Sequence, residues 1–365
     1  MESQVVIDNL VSPTSLVSFD QHLYITDQPG YIYQLAPNGD IVRWLDISNV
    51  IFPLQESGLL DIAFMDNGSH IIMFSSRIVE TINQYVPIFL AKNINVDSQD
   101  LHVDIISIIP IGEDGNPIIE GEKILFGILR DLPIHHGGRL LIDGDYLYIT
   151  TGDSGPQMDT NYRAQDLTSI LGKVLRIIPN IDGSYIIPDD NPFGEEALPE
   201  IYAYGFRNPW SMSQDNSGRI FIADVGAEDW EEVDILERGG NYGWNIKEGS
   251  YFTDWSGEER NIPLIDPIYE YPHRVDGPSA IMGGYYIDED HPLYLSGYYF
   301  ADIVGPMMRI IQDDEEWYLD NEWNLPAGLT IHGWGSDGNF LYFYGSNNNL
   351  PEGQQGYVRR LLAFT

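Results

Sequence analysis

Adjacent histidines stand out in the stretch His135-His136-Gly137-Gly138-Arg139. Successive side chains of a strand point to opposite faces, so at most one of the two imidazoles can face a shared site. An imidazole can take up a proton near neutral pH, and the two glycines leave room for another group to approach closely. An isolated histidine is more often structural than catalytic, so this pattern needs support from the rest of the chain.

An arginine precedes an Asn-Pro dipeptide in Tyr204-Gly205-Phe206-Arg207-Asn208-Pro209-Trp210. Proline lacks the N–H of a regular ladder and restricts the residue before it. The sequence therefore predicts that Arg207 is presented from a loop. Salt bridging is the alternative role for any arginine in a chain with so many acidic residues.

Carboxylates and glycines gather in residues 223–234 and 239–244. Carboxylate and backbone carbonyl oxygens are the ligands that Ca²⁺ prefers, although the spacing of an EF-hand loop is absent. By residue type, the stretch is as typical of a cation site as of a solvated acidic turn.

The composition narrows the function classes. The 365 residues carry 56 acidic and 18 basic side chains, a formal charge of −38, and include no cysteine. No basic patch can neutralise phosphates, so we expect neither nucleic acid nor an anionic membrane surface as a partner. Without cysteine, disulfides, thiolate catalysis and cysteine-ligated zinc are excluded. A hydrophobic share of 43% is too high for a disordered acidic chain.

The first residues, MESQVVID, lack the basic and apolar regions of a signal peptide. No run reaches the roughly 18 apolar residues that a membrane-spanning helix needs. We therefore expect a soluble chain without membrane insertion, and its compartment stays unknown.

Short runs rich in Ile, Val, Tyr and Phe alternate with turn dipeptides along the whole chain, which predicts β-structure almost throughout. One pattern recurs: a turn leads into a strand that ends in Asp or Gly, and a second strand follows. Residues 20–34, 143–153, 217–225, 297–311 and 337–346 show it. Residues 162–171 are expected to form a short helix or turn.

Such repetition favours an all-β, six-bladed β-propeller with four-stranded antiparallel blades. We expect one propeller domain over residues 1–365, with residues 357–362 pairing with the N-terminal strands to close the ring. A pair of β-sandwiches is the alternative, but it would need a linker, and none is evident in the sequence.

In their order along the chain, the histidine, arginine and acidic stretches resemble the soluble glucose/sorbosone dehydrogenase family. The family consists of six-bladed propellers that oxidise sugars with pyrroloquinoline quinone (PQQ), and it includes a Hedgehog-interacting-protein-like branch. The resemblance covers most of the chain. It is carried by residues 45–48, 56–64, 135–140, 151–153, 172–176, 191–193, 204–209, 224–226, 231–233, 239–244 and 283–285.

The resemblance implies a role for each matching residue. His135 corresponds to the base that removes the anomeric hydroxyl proton, and Asp153 to the carboxylate that orients it. Arg207 corresponds to the cation that faces the quinone oxygen.

Further positions match parts of the family's cofactor and metal sites. Glu56, Asn208 and His273 fall where the family contacts its cofactor. A Ca²⁺ ion is implied at two places, which match Gly226 and Ala227 in one case and Glu232 and Tyr242 in the other.

The cofactor-anchoring positions depart from the family pattern. PQQ is a tricarboxylate, and sugar-oxidising members hold it with a late lysine and an Arg-x-Arg pair. In an ungapped alignment these positions fall near Ile303, Gly328 and Thr330, none of which is basic. The region resembles the Hedgehog-interacting-protein-like branch instead.

Two hypotheses follow. The first is a PQQ- and Ca²⁺-dependent aldose dehydrogenase acting on a small sugar. The second is a non-catalytic propeller that binds a protein or glycan partner through loops on its top face. A shared fold does not decide between them, because function resides in the site.

Overall fold

A computed structural model of the protein describes residues 2–65, 68–82, 87–90, 94–255, 262–275, 277–350 and 353–362. Short β-branched and aromatic runs form strands that are separated by tight turns, and no α-helix occurs among these residues. Single 3₁₀ turns cover Val79–Thr81 and Ile119–Gly121. The stretch 162–171, expected to form a short helix or a turn, forms turns.

Twenty-eight strands are found in the described chain, and all but one short hairpin belong to six sheets, here called blades 1 to 6. The N-terminal strand is β1 (Ser3–Leu10). Blade 1 contains β2 (Pro13–Phe19), β3 (His22–Asp27), β4 (Tyr31–Leu35) and β5 (Ile41–Asp46). Blade 2 contains β6 (Leu59–Met65), β7 (His70–Ile78), β8 (Ile88–Phe89), β9 (His102–Pro110) and β10 (Lys123–Arg130). Blade 3 contains β11 (Gly137–Asp143), β12 (Tyr146–Thr151), β13 (Lys173–Pro179), β14 (Tyr185–Ile186) and β15 (Ile201–Tyr204).

The second half of the chain continues in the same way. Blade 4 contains β16 (Pro209–Gln214), β17 (Ile220–Asp224), β18 (Trp230–Ile235) and β21 (Tyr269–Pro272), and β19 (Lys247–Glu248) pairs with β20 (Tyr251–Phe252) in a separate hairpin. Blade 5 contains β22 (Ile281–Ile287), β23 (Gly297–Asp302), β24 (Met307–Asp313) and β25 (Glu316–Trp323). Blade 6 contains β26 (Leu329–Ser336), β27 (Leu341–Asn347), β28 (Gly356–Leu361) and β1.

The first strand of each blade contacts the first strands of both neighbouring blades, and the six contacts close a circle. The prediction of a six-bladed β-propeller with blades built on four antiparallel strands is therefore confirmed. Blade 2 carries an additional edge strand, β8, which pairs in parallel with β10, and in blade 3 both β14 and β15 pair with β13.

The ring is closed by the two ends of the described chain. Strand β1 pairs antiparallel with β28, with Val5 opposite Arg359 and Ile7 opposite Val358. The predicted pairing of residues 357–362 with the N-terminal strand is confirmed. Strand β1 is thus the outermost strand of blade 6, and the chain runs from it directly into β2, the innermost strand of blade 1, so the N-terminal segment joins the last blade to the first.

A buried arginine ties the inner strands together at the axis. The guanidinium of Arg139 on β11 donates to the carbonyl of Thr14 on β2 (2.5 Å) and to that of Trp210 on β16 (2.6 Å). It also donates to the carbonyl of Leu60 on β6 (3.4 Å). A cavity of about 290 Å³ beside it is lined by residues from all six inner strands.

An acidic residue at the end of the second strand holds the loop that enters the same blade. Asp27 accepts the backbone N–H groups of Val11 and Ser12, and Asp302 accepts that of Ala280. These contacts give the physical reason for the recurrent Asp in the sequence: its carboxylate takes up N–H groups that the ladder leaves unpaired.

The described residues include no helix that has the length and apolarity required to cross a membrane.

Ring closure predicts unequal effects for two substitutions on β1. Ile7 is 4% exposed and Val5 is 45% exposed. Ile7→Ala should lower the free energy of unfolding by about 2–4 kcal/mol, because it removes buried methyl groups from the closing blade. Val5→Ala, the matched control, should change it by less than about 0.5 kcal/mol. Urea unfolding measures both, and equal losses for the two variants would contradict the assigned closure.

Candidate functional site

Topology brings most of the predicted site residues to one face of the ring. In an antiparallel propeller, the connections between blades and the loops between second and third strands emerge on the same side. Glu56, His135, Arg207 and Asn208 lie in connections between blades, and Asp153 follows the second strand of blade 3. His273 and the Gly226–Ala227 turn lie on this face as well, since they follow β21 and β17 respectively. We call this side the top face.

The central feature of the top face is a hydrogen-bonded His–Asp pair. Nδ1 of His135 lies 2.7 Å from Oδ1 of Asp153, and both side chains are buried. Burial by itself would raise the pKa of Asp153, but the charge and hydrogen bond of His135, together with the charge of Arg207, hold this pKa below its ordinary value. An ionised carboxylate can only accept, so Nδ1 carries the hydrogen and Nε2 is the ring nitrogen left to take up a proton.

Other donors fix the Asp153 carboxylate in place. Its Oδ1 also accepts the N–H of Gly155 (2.7 Å), and its Oδ2 accepts the indole N–H of Trp244 (2.7 Å). The sequence singled out Trp244 only as part of a glycine-rich motif, because its partner lies on another blade.

The backbone of His135 adopts a left-handed conformation, with φ of +53°. For a residue with a Cβ this conformation costs roughly 1–3 kcal/mol and persists where surrounding contacts determine it. One such contact is the Glu56 carboxylate, whose Oε2 accepts the N–H of His135 (2.8 Å).

Asn208 joins the same network. Its side-chain Nδ2 donates to Oε2 of Glu56 (3.1 Å), and its Oδ1 accepts the N–H of Gly137 (3.1 Å). The predicted residues Glu56, His135 and Asn208 therefore meet around one carboxylate oxygen.

Arg207 is buried in a loop that ends at Pro209, the first residue of β16, as the sequence predicted. Asp224 holds this loop, because its carboxylate accepts the N–H groups of Arg207 (2.8 Å) and Asn208 (2.6 Å). Burial raises the pKa of Asp224 to about 7, against the effect of these two donors. The carbonyl of Arg207 accepts the N–H of Asp153 (2.8 Å), which joins the loops of blades 3 and 4.

The guanidinium of Arg207 points back toward blade 4. It donates to the carbonyls of Val225 (2.9 Å) and Gln157 (3.3 Å) and lies 5.5 Å from the centre of the Trp244 ring. Its positive charge is thus held beside the His–Asp pair by backbone and aromatic contacts, without a direct ion pair to Asp153 among the described contacts.

His273 lies apart from this network. Its Nε2 is 2.7 Å from Oε1 of Glu231. Burial lowers the pKa of His273, but the neighbouring Glu231 carboxylate outweighs that effect, so the pKa is raised. Within the described residues no hydrogen bond joins His273 to His135, although the charge of Arg207 is close enough to influence it.

The Gly226–Ala227 turn wraps around a buried carboxylate. Oε1 of Glu248 accepts four consecutive backbone N–H groups, those of residues 227–230, at 2.6–3.1 Å. The carbonyl of Ala227 accepts a hydrogen bond from the side-chain amide of Gln157 (2.8 Å). The backbone carbonyl of Gln157 in turn accepts one from Arg207. The turn therefore lies against the Arg207 side of the site.

A second group of acidic side chains occupies blade 4. Glu232 lies between Asp224 and Glu270 on neighbouring strands, and Asp234 follows two residues later on the same face. One carboxylate oxygen of Glu232 and both of Asp234 are buried without a hydrogen-bond partner among the described residues. Burial, together with the negative charge of these neighbours, raises the pKa of both groups well above the ordinary value. Oxygen donors concentrated in this way are suited to a hard divalent cation.

Tyr242 packs beside this acidic group. Its hydroxyl is already engaged, since it donates to the carbonyl of Ile235 (2.7 Å) and accepts the N–H of Glu237 (2.6 Å). Its ring stacks on Phe206. The phenol hydroxyl is therefore occupied by hydrogen bonds within blade 4, and the backbone carbonyl of Tyr242 is the group that remains as a candidate ligand. The sequence did not predict Asp234 and Glu270 as members of this acidic group. The available signal was the i, i+2 spacing of Glu232 and Asp234, which places both side chains on the same face of a strand.

Fold and site together define a β-propeller with a buried imidazole–carboxylate pair and an arginine on its top face. A sequence model of the family described as "Glucose / Sorbosone dehydrogenase" matches residues 10–289. The chain belongs to the glucose/sorbosone dehydrogenase family.

Individual relatives agree with this assignment. The chain is 40% identical over 209 residues to the HIPL2 protein of Arabidopsis thaliana, covering 50% of this chain and 30% of that protein. It is 26% identical over 274 residues to quinoprotein glucose dehydrogenase B of Acinetobacter calcoaceticus, covering 67% and 52%. The chain thus spans about half or less of the length of these curated relatives. The fold matches that of the soluble aldose sugar dehydrogenase of Escherichia coli, with a TM-score of 0.77, 21% identity and 98% of each chain covered.

The acidic group in blade 4 predicts an unusual pH dependence of stability. The folded-state pKa values of Glu232 and Asp234 are raised, so their contribution to stability is fully present below the ordinary carboxyl pKa of about 4 and is lost as the pH rises through the raised values. In protein stripped of cations, Asp234→Asn should therefore gain in Tm over the wild type as the pH rises from 4 to 8. Calorimetry measures the difference.

The exposed residue Asp143 supplies the control. Asp143→Asn should follow the wild-type Tm at every pH. A constant offset for Asp234→Asn across the range would show that the pKa of Asp234 is the same in the folded and the unfolded chain, and it would contradict the prediction.

Proposed function

We propose that this chain is a quinoprotein-type sugar dehydrogenase that oxidises an aldose at C1 with hydride transfer to PQQ. The observation that carries the proposal is the hydrogen bond between His135 and Asp153, with Arg207 and Asn208 in the same network. The family assignment and the likeness to quinoprotein glucose dehydrogenase B support it.

His135 acts as the general base. Its Nε2 takes the proton of the anomeric hydroxyl while the C1–O bond becomes a carbonyl, and Asp153 keeps Nδ1 protonated and stabilises the imidazolium that forms. PQQ, when bound, supplies the acceptor for the hydride that leaves C1. Arg207 provides a fixed positive charge near the reacting groups, in a buried setting where electrostatic interactions are strong.

The charges on the top face bear on whether PQQ fits. A tricarboxylate requires cations to offset the loss of its hydration. Arg207, His273 with its raised pKa, and Arg274 would supply them. The guanidinium of Arg274 donates to the carbonyl of Gly305 (2.6 Å), so it reaches the loop in which Ile303 occupies the position of the family's lysine.

Calcium would bind at the two places described above. The Gly226 and Ala227 carbonyls lie on the turn next to Arg207. Glu232, with Asp234 and the carbonyl of Tyr242, offers the second donor set, whose unpartnered buried oxygens fit a divalent cation.

A second candidate function is recognition of a protein or glycan by a non-catalytic top face. It is favoured by the non-basic residues Ile303, Gly328 and Thr330 at positions where sugar-oxidising relatives hold the cofactor. The likeness to HIPL2 agrees with the resemblance to the Hedgehog-interacting-protein-like branch. Cofactor binding distinguishes the two functions.

PQQ titration tests the proposed function directly. Purified protein with Ca²⁺ should bind PQQ saturably at micromolar concentration, followed by cofactor absorbance, and should reduce a dye with an aldose as substrate. His135→Ala should lower kcat by about 10²–10⁴-fold, because the base is lost, while PQQ binding is retained.

His22, the first residue of β3, gives a matched control, and His22→Gln should retain wild-type turnover. Absence of saturable PQQ binding would reject the dehydrogenase in favour of the binding function. Turnover that survives His135→Ala unchanged would reject the assigned base.

Calcium binding has its own readout. Ca²⁺ at about 100 times its Kd should raise the free energy of unfolding by about 2.7 kcal/mol, because it binds the folded chain alone. Glu232→Gln should remove the part of this gain in Tm that the blade 4 site contributes, whereas the exposed Asp143→Asn should keep the whole gain. An equal response of all three proteins to Ca²⁺ would exclude the blade 4 donors as its ligands.

A further inference from the structure

A fully buried arginine lies directly beneath the His–Asp pair. Arg130 is the last residue of β10 and has no exposed surface. Its Nη1 donates to the carbonyls of Gly152 (3.2 Å) and His135 (3.4 Å), and its Nη2 donates to that of His136 (3.4 Å). One guanidinium thus contacts the backbone on both sides of the pair, since Gly152 immediately precedes Asp153.

Arg130 is in turn held by an acid on the neighbouring strand. Its Nε donates to Oδ2 of Asp104 on β9 (2.8 Å), and this carboxylate has no exposed surface. Asp104 also accepts the hydroxyl of Ser76 (2.6 Å) and lies 2.9 Å from Nδ1 of His136. Burial would raise the pKa of Asp104, but the charges of His136 and Arg130 bring it well below the ordinary value. The second histidine of the pair in the sequence therefore anchors the arginine instead of facing the site.

The two peptide groups of His135 are restrained from opposite sides. Its N–H is bound by Glu56 and its carbonyl by Arg130. Because His135 has a positive φ, its backbone would relax if one of these contacts were lost, and the imidazole would turn away from Asp153. The carbonyl of His135 also packs closely against Gly152, where a Cβ would lie 2.1 Å from its oxygen.

We propose that Arg130, fixed by Asp104, is a positioning residue that sets the orientation of His135 relative to Asp153. Arg130 touches neither substrate nor cofactor, and it acts through the two loops that it joins. The catalytic consequence rests on the proposed function, whereas the effect on the geometry of the imidazole does not.

Arg130→Lys tests the proposal, because lysine keeps the positive charge beside Asp104 but cannot reach three carbonyls with one planar group. We expect kcat to fall by about 10- to 100-fold while KM for the sugar changes by less than about 3-fold. The Nδ1 proton of His135, assigned in NMR spectra by its loss in His135→Gln, should move upfield and exchange faster with solvent.

Arg77 offers a matched control. It is a buried arginine of the same blade that binds Glu122 with both terminal nitrogens, and the described hydrogen bonds of its side chain go to Ser75 and Glu122, which lie outside the loops of the site. Arg77→Lys should lower Tm but leave kcat and the His135 proton as in the wild type. An unchanged His135 proton and unchanged kcat in Arg130→Lys would overturn the proposal.

Two further results keep the test decisive. If Arg130→Lys does not fold, Ser76→Ala removes only the hydroxyl donor of Asp104, and it should shift the His135 proton in the same direction by a smaller amount; no shift would overturn the proposal. If the wild type has no turnover with any aldose, the proposed function fails while the NMR comparison still decides the role of Arg130.

Discussion

Buried carboxylates organise the top face of this propeller. A carboxylate removed from water is tolerated only where donors or cations surround it. Asp153, Asp224 and Glu248 each satisfy this requirement by gathering donors from loops that are distant in the chain. The loops that carry His135, Arg207 and Ala227 are therefore fixed by the acids that they enclose, and the geometry of the site is a consequence of solvating those acids.

The recurrent acid of the blades shows how a functional group can arise within a repeat. In blades 1, 4 and 5 the acid ends the second strand and accepts N–H groups from the entering loop. In blade 3 the second strand ends at Thr151, and Asp153 lies two residues beyond it. This displacement directs the carboxylate to the imidazole of His135, in the connection between blades 2 and 3, and so forms the His–Asp pair.

Two acids of blade 4 do not follow this rule. Glu232 and Asp234 are buried beside other carboxylates and lack donors for several of their oxygens among the described residues. Their oxygens without partners among the described residues make them the candidate ligands for the proposed divalent cation. The surplus of 38 negative charges is thus divided among a hydrated surface, loop-fixing acids and a small set of candidate metal ligands.

The sequence by itself determined the class of fold and the identity of the pair at its centre. Regular turn spacing predicts β-blades, and the motifs around His135, Asp153 and Arg207-Asn208 identify residues whose types suit proton transfer. Tertiary structure alone decided the partners: Arg130 and Asp104 beneath the pair, Trp244 on its carboxylate, and Glu270 beside Glu232. Local patterns report which residues share a strand or turn, whereas burial and contacts between blades depend on how the ring closes, and these set the charges and hydrogen bonds of the site.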